Sequence, residues 1–305
     1  MPMNPLLFSE SDSLCGSPLS AVSSLIQLAL DEDLGRGRTA FPGDHSSLSC
    51  FAADQQGHAV LRAKEAGIVA GLPLVPVVLQ AVDPQLHWEA LAQDGDAVEP
   101  GQAVGRAHGP LVGLLTAERT LLNFVQRLSG VATASHRWTA LVAGTGVRLL
   151  DTRKTTPGWR DLEKYAVRTG GATNHRHGLY DLIMLKDNHI DFCGGLQEAV
   201  QRAQHYVLKL GHPLKIEVEA RSLADVETAL ATPGIDFLML DNFTPDACRV
   251  AVERIAGRLK TEASGGITAE TLRDYAESGV DFISLGALTH SVKSLDLNFK
   301  ADVAR

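Results

Sequence analysis

The sequence predicts a mixed α/β protein in two parts, an α+β first half and a second half of alternating strands and helices around a parallel sheet. Three observations predict it. Residues 1–115 hold short apolar runs separated by Gly, Asp and Ser; residues 116–145 have helical periodicity; and six apolar runs from residue 147 onward recur about every 20–36 residues, with helix-like sequence between them. Six such units favour a closed (β/α) barrel over an open sheet.

The elements follow in order. AVSSLIQLAL, broken by Ser and ending in Asp31-Glu32-Asp33, reads as an amphipathic helix and not a secretory signal, since the first basic residue is Arg36. A Gly-, Asp- and Ser-rich loop, GRTAFPGDHSS, comes next, and HAVLRA and GIVAG then read as strands. The stretch 66–82 is interrupted by Gly and Pro and is shorter than the roughly 20 residues a bilayer needs, so a buried strand, a turn and a core helix are expected. DGDAVEPGQAVGRAHG at 94–109 has the texture of a biotinyl or lipoyl carrier hairpin. The carrier reading fails because Lys64, the only Lys before residue 154, is not in a carrier turn. In the helical segment Thr116 is placed to cap the start and Gly144 to stop it, with a break near Ser129-Gly130 dividing it in two. VRLLD, LIMLK, LKIEVE, DFLMLD, RLKTEAS and DFISLG are then the strands of the parallel sheet.

Composition sets outer limits. With 28 Lys plus Arg against 36 Asp plus Glu among 305 residues, the net charge of −8 argues against nucleic acid and anionic membranes as partners. Cys15, Cys50, Cys193 and Cys248 form no CxxC pair, so neither a zinc framework nor a disulfide scaffold is expected, and a reducing, cytoplasmic location fits.

The chemistry lies at the C-terminal ends of the apolar runs, the rim where α/β barrels bind ligands. Asp151-Thr152-Arg153-Lys154, Lys186-Asp187-Asn188-His189, Glu219, Asp241-Asn242, Ser264-Gly265-Gly266 and Ser284-Leu285-Gly286 all occupy such ends. The last two have the form of a barrel phosphate site, in which Gly lets backbone N–H groups approach an anion. Arg153, Lys154, Arg176 and Lys186, with His175 beside them, would converge on one rim. Like charges repel, so such a cluster implies a highly anionic ligand. Glu219 and Asp241 either balance that charge or bind sugar hydroxyls or a divalent cation; Glu217, two residues from Glu219, points to the same side, and periodicity does not separate their roles. His175 and His177 in NHRHG lack the further ligands a zinc site needs. A Schiff-base aldolase using Lys186 would also fit a barrel with a phosphate site, but it leaves Arg119, Arg153 and Arg176 without a task.

The string DTRKTTPGWRDLEKYAVRTGGATNHRHGLYDLIMLKDNHI at 151–190 resembles the nicotinate-nucleotide pyrophosphorylase (carboxylating), or quinolinate phosphoribosyltransferase, family. LALDEDLGRG, AERTLLNFVQRLSGVAT, LKIEVEARSL, LMLDNF, EASGGIT and DFISLGALTHSVKSLDLNF agree with it in order, over nearly the whole chain. The resemblance implies an N-terminal α/β sandwich domain (1–115, with 293–305 returning to it) and a catalytic, incomplete α/β barrel of phosphoribosyltransferase type (116–292). It implies transfer of phosphoribosyl from 5-phosphoribosyl 1-diphosphate to quinolinate with decarboxylation, giving nicotinate mononucleotide, pyrophosphate and CO2 for NAD synthesis. Mg²⁺ is the implied cofactor, held largely through substrate diphosphate and water, with Glu219 and Asp241 as its protein ligands. A homodimer is implied, Arg119 reaching the partner's site, and further assembly to a hexamer is left open.

Carried over by residue, Arg153, Lys154, His175, Arg176 and Lys186 match the pocket for the quinolinate carboxylates and the diphosphate, beside Thr152. Glu219 and Asp241 match the acidic pair near the ribose and metal. Ser264, Gly265, Gly266, Ser284, Leu285 and Gly286 match the 5-phosphate loops. Lys154, Lys186, Glu219 and Asp241 are the expected catalytic residues. Intact TRK, HR and KDNH strings argue against the molybdate-associated homologues of this fold, which would change the base-binding residues.

Overall fold

The computed structural model describes residues 19–301. Cys15, and the ends of the spans 1–115 and 293–305, lie outside the described residues. The chain divides into two compact units, one holding residues 137–154 and 172–290, the other 19–136, 155–171 and 291–301.

The second of these units begins with α1 (Leu19–Leu34), whose Val22, Ile26 and Leu30 recur every four residues and are buried. The loop after it ends at Asp44, which caps the short α2 (His45–Cys50) by accepting the Ser47 N–H at 3.1 Å. There follow β1 (Gln56–Ala63), β2 (Gly67–Ile68), α3 (Leu74–Val82), β3 (His87–Ala90), β4 (Ala97–Val98), β5 (Ala103–Pro110) and α4 (Leu111–Leu141). The stretch 66–82 is thus a strand, a turn and a buried helix, as its composition predicts. The sheet runs β12-β1-β5-β3, the last strand β12 (Leu297–Ala301) pairing antiparallel with β1.

α4 corrects two expectations. It starts five residues before Thr116, whose hydroxyl instead donates to Asp44 Oδ2 at 3.3 Å, and it runs unbroken through Ser129-Gly130. Both residues serve packing. Ser129 Oγ accepts the Ala70 N–H at 3.0 Å, and a side chain at Gly130 would strike the backbone carbonyl of Lys293. Small residues that permit close approach look, in a sequence, like a helix break. Farther on in this unit, α5 (Arg160–Thr169) packs its Glu163 onto α4.

The other unit contains β6 (Arg148–Leu150), β7 (Ile183–Leu185), α6 (Asp187–Cys193), α7 (Leu196–Leu210), β8 (Ile216–Ala220), α8 (Leu223–Ala231), β9 (Phe237–Asp241), α9 (Pro245–Ile255), β10 (Lys260–Ser264), α10 (Leu272–Ala276), β11 (Phe282–Ser284) and a 3₁₀ turn at Gly286–Leu288. All six apolar runs are strands, in one parallel sheet ordered β6-β11-β10-β9-β8-β7. The closed barrel that six units alone would favour is not met, and the incomplete barrel that the family resemblance implies is the one observed. No ladder joins β6 to β7; β6 makes only a single bridge, Leu150 to Thr173, with the segment that precedes His175. That segment supplies one bridge residue and then turns inward, so the ladder stops and the barrel is incomplete.

Register and pleat divide the sheet's residues between two faces. Val218, Leu238, Leu240, Ala263 and Ile283 fall on one face and are fully buried. Glu217, Glu219, Met239, Asp241, Glu262, Ser264, Phe282 and Ser284 fall on the other, so the charged residues share the interior face.

Candidate active site

The strand ends of this sheet assemble the site. Thr152, Arg153 and Lys154 follow β6, and the last two are exposed. Lys186 follows β7, where its side chain reaches Glu219 of β8, Nζ donating to Oε2 at 3.0 Å. Lys186 remains about half exposed while the Glu219 side chain is 7% exposed, so the pair offers an ammonium to the solvent side over a covered carboxylate. Asp241 ends β9 on the same face, its Oδ2 accepting from Asn242 Nδ2 at 2.6 Å. Two carboxylates on neighbouring strands form the partial, all-oxygen donor set that suits Mg²⁺ when phosphates and water complete its shell.

The next strand end is a turn built for close approach. Gly265 and Gly266 have φ of 97° and 63°, and Asn242 beside them is itself left-handed at 57°. A Cβ at Gly265 would collide with the Asn242 amide oxygen and lie 3.0 Å from its backbone N, whereas at Gly266 the space is open. Gly265→Ala therefore meets both backbone strain and a clash. It is expected to raise KM for a phosphorylated substrate at least about tenfold, a change of roughly 1.4 kcal/mol in binding, while far-UV circular dichroism stays unchanged; steady-state kinetics checks it.

At β11, Ser284 is buried and the Leu285 N–H donates to Leu150 O at 2.8 Å. Leu285 therefore offers a ligand no free donor; its side chain is packed away at 2% exposure. Gly286 lies where a Cβ would be 2.7 Å from the His290 ring and 3.0 Å from Lys154 Cδ, so the missing side chain makes room for Lys154. The Thr289 hydroxyl donates to the Lys154 carbonyl at 2.8 Å and fixes its backbone.

Arg176 is 8% exposed, and its Nη1 donates to Leu182 O at 3.1 Å. Burial, and after it the charge of Arg153, pull its guanidinium below the usual range, with Glu217 and Asp181 opposing. The charge of Arg153 acting on Arg176 is the like-charge repulsion that an anionic ligand would relieve. His175 turns away from that rim. Its Nε2 lies 3.2 Å from both Glu217 Oε2 and Glu262 Oε2, and its Nδ1 lies 2.6 Å from the Arg176 backbone N. His177 does not join it; its N–H goes to Asp181, which also accepts the Gly178 N–H at 2.9 Å.

Arg119 lies in the other unit, exposed on α4 in a groove lined also by Leu25, Glu32, Asp33 and Trp159. Glu262 was not singled out by sequence reasoning, and Glu217 only as a rival to Glu219. The signal was present: Glu262 precedes Ser264 by two residues, as Glu217 precedes Glu219, so each must share its neighbour's face. Glu163 was missed because a helix gives no comparable pointer.

A parallel sheet that gathers cations, carboxylates and glycine turns at its C-terminal ends defines an α/β enzyme of small anionic molecules. The comparisons narrow the class. The family model for the C-terminal domain of quinolinate phosphoribosyl transferase matches residues 131–300, and that for the N-terminal domain matches residues 44–129. A probable nicotinate-nucleotide pyrophosphorylase [carboxylating] of Bacillus subtilis is 43% identical over 267 residues, 88% of this chain and 89% of its own. A chloroplastic nicotinate-nucleotide pyrophosphorylase [carboxylating] of Arabidopsis thaliana is 40% identical over 299 residues, 93% of this chain and 84% of its own. Among solved structures, the nicotinate-nucleotide pyrophosphorylase from Francisella tularensis superimposes with a TM-score of 0.87 at 35% identity, covering 96% of this chain and 100% of that one. NadC from Streptococcus pyogenes does so at 0.87 and 38%, covering 93% and 97%. This chain belongs to the quinolinate phosphoribosyltransferase family.

Proposed function

We propose that the protein transfers phosphoribosyl from 5-phosphoribosyl 1-diphosphate to quinolinate and decarboxylates the adduct, giving nicotinate mononucleotide, pyrophosphate and CO2 for NAD synthesis. The observation that carries this reading is the rim itself, where Arg153, Lys154 and Lys186 share the strand ends with the glycine turn at Gly265-Gly266, and Arg176 lies near enough to Arg153 to feel its charge. Quinolinate brings two carboxylates, and the donor a phosphate and a diphosphate. Bidentate guanidinium contacts and compact ammonium charges suit that load.

In this reading Arg153, Arg176 and Lys154 hold the quinolinate carboxylates, with Thr152 at the edge, and the turn at Ser264-Gly265-Gly266, with Ser284 and Gly286 but not Leu285, takes the 5-phosphate. The ring nitrogen attacks the anomeric carbon, a C–N bond forming as the C–O bond to diphosphate breaks. Glu219 and Asp241 lie where positive charge develops at the sugar, and Lys186 meets the departing diphosphate. Mg²⁺, when bound through Glu219, Asp241, diphosphate and water, adds charge neutralisation on the leaving group. The quaternised nitrogen then stabilises the electron pair left when the adjacent C–C bond to carboxylate breaks, and a proton replaces CO2 at that carbon. No covalent enzyme intermediate is required.

Purified protein incubated with quinolinate, 5-phosphoribosyl 1-diphosphate and Mg²⁺ is expected to release nicotinate mononucleotide and CO2 in equal amounts. No product, or equal activity with nicotinic acid, overturns the assignment. The functional unit in this reading is a homodimer in which Arg119 completes the partner's site. Mixing inactive Arg119→Ala with inactive Lys154→Ala protein is then expected to restore partial activity, because one site of the mixed dimer regains both residues. An absence of complementation in dimers shown to exchange subunits counts against the shared site.

A further inference from the structure

The interior face of the sheet carries a charged cluster that the proposed chemistry does not use. Glu217 on β8 is 1% exposed and Glu262 on β10 is 1% exposed, yet both oxygens of Glu217 and Oε1 of Glu262 have no hydrogen-bond partner. Burying a carboxylate that way costs several kcal/mol unless its charge is balanced. The balance comes from two sides. His175 Nε2 stands between the two carboxylates at 3.2 Å from each, and Glu217 also acts on the charge of Arg176. The His175 backbone is fixed as well, its N–H donating at 2.8 Å to Oδ1 of the fully buried Asp151 at the end of β6. Ring and backbone are thus held by three different strands, and the next residue in the chain is Arg176.

We infer that Glu217 and Glu262 are positioning residues for the base-binding side of the site: they fix the His175 ring and, through the peptide that joins it to Arg176, the aim of the Arg176 guanidinium. The Arg176 backbone N lies 2.6 Å from Nδ1, so the ring orientation and the Arg176 backbone are coupled. Glu217 also offsets the repulsion that Arg153 exerts on Arg176. An apolar pair at these positions would pack as well and would leave both tasks undone. The inference rests on the proposed function for the identity of the base, quinolinate.

The electrostatics give a readout independent of turnover. Glu262 and Glu217 act on the His175 ring, Asp151 holds its backbone N–H, and Arg176 follows it in the chain. Burial opposes a charge on the imidazole, but the charge of Glu262 and the proximity of Glu217 outweigh it and push the ring up to about 10. Burial and the charge of Glu262 push Glu217 upward in turn, with His175 opposing. The carboxylates therefore favour a charged ring, whose Nε2–H faces them. A folded-state value raised in this way means that stability from the ring's charge is complete below its unfolded value near 6.5 and is lost as pH rises through about 10.

The test uses full-length wild type, Glu217→Gln and Glu262→Gln. Calorimetry reads binding of quinolinate and, separately, of 5-phosphoribosyl 1-diphosphate, and nitrogen-15 NMR follows the His175 ring between pH 5 and 9. Wild-type His175 is expected not to titrate in that window and to begin titrating in either variant. Quinolinate binding should weaken about tenfold in each, roughly 1.4 kcal/mol, with the donor's binding changed less than twofold. A wild-type ring that titrates between pH 5 and 9 overturns the inference, and does so even if both variants fail to fold. So do equal losses for both substrates that track melting temperature, unchanged quinolinate binding, or a stoichiometric metal in the purified protein that Glu217→Gln removes. Failure of the proposed reaction would appear instead as no nicotinate mononucleotide from wild type, with the His175 result still readable.

Discussion

Glu163→Ala is expected to lose about 3–5 kcal/mol of stability, the range for removing one partner of a buried ion pair. The Glu163 side chain is fully buried and accepts four hydrogen bonds: from Arg127 Nε at 3.1 Å and Nη2 at 2.6 Å, and from the Thr156 N–H at 3.0 Å and hydroxyl at 2.8 Å. Alanine would orphan all four donors at once, and the Arg127 side chain, 23% exposed, would have only partial access to water in exchange. Arg127 also donates to Val292 O at 3.0 Å, so the loss reaches the segment leading into β12. Glu163→Gln keeps one acceptor oxygen and should lose less. Urea unfolding followed by circular dichroism checks both variants; a loss under about 1 kcal/mol for the alanine change would mean that water replaces the carboxylate at little cost.

Lys186→Ala is expected to lower kcat/KM by about 10²–10³, the scale for deleting one preorganised charge that faces developing negative charge. Its ammonium is 3.0 Å from Glu219, and Glu219 itself is almost covered. Removing the lysine therefore leaves a poorly solvated carboxylate and, in the proposed reaction, an unopposed diphosphate. For that reason the double variant Lys186→Ala/Glu219→Ala should be no worse than the worse of the two single variants, because the two residues act as a unit. Lys186→Arg should restore little, since a planar guanidinium does not reproduce a compact ammonium at that distance. Additive losses in the double variant would show that the two side chains work separately.

The rim was legible because a strand's chemistry is local. In LKIEVE, DFLMLD and RLKTEAS the apolar run gives the strand, its last polar residue gives the ligand end, and alternation gives the face, so Glu219, Asp241 and Ser264 could be placed without coordinates. Three things were not legible. Closure of the sheet depends on pairing between β6 and β7, which no residue in either strand announces. Ser129-Gly130 mimics a helix break because the chain that packs against it, at Ala70 and Lys293, is remote in sequence. The direction of the His175 ring was decided by Glu217 and Glu262, on two other strands; a string such as NHRHG shows a pair of histidines and says nothing about which one turns inward. Leu285 is a milder case: its position at a strand end is legible, but the use of its N–H by Leu150 is a pairing fact.

The missing ladder between β6 and β7 has a consequence for how such a site can change over evolutionary time. In a sheet closed all round, every interior side chain belongs to a strand, and altering one disturbs its neighbours' packing and register. Here residues 172–182 enter through the seam with a single bridge to β6, carrying His175 and Arg176. That length of chain can be rewritten, lengthened or re-aimed while the six strands keep their alignment. The seam is thus the place where descendants of this fold are expected to exchange one aromatic acid acceptor for another, leaving the turns after β10 and β11 as inherited.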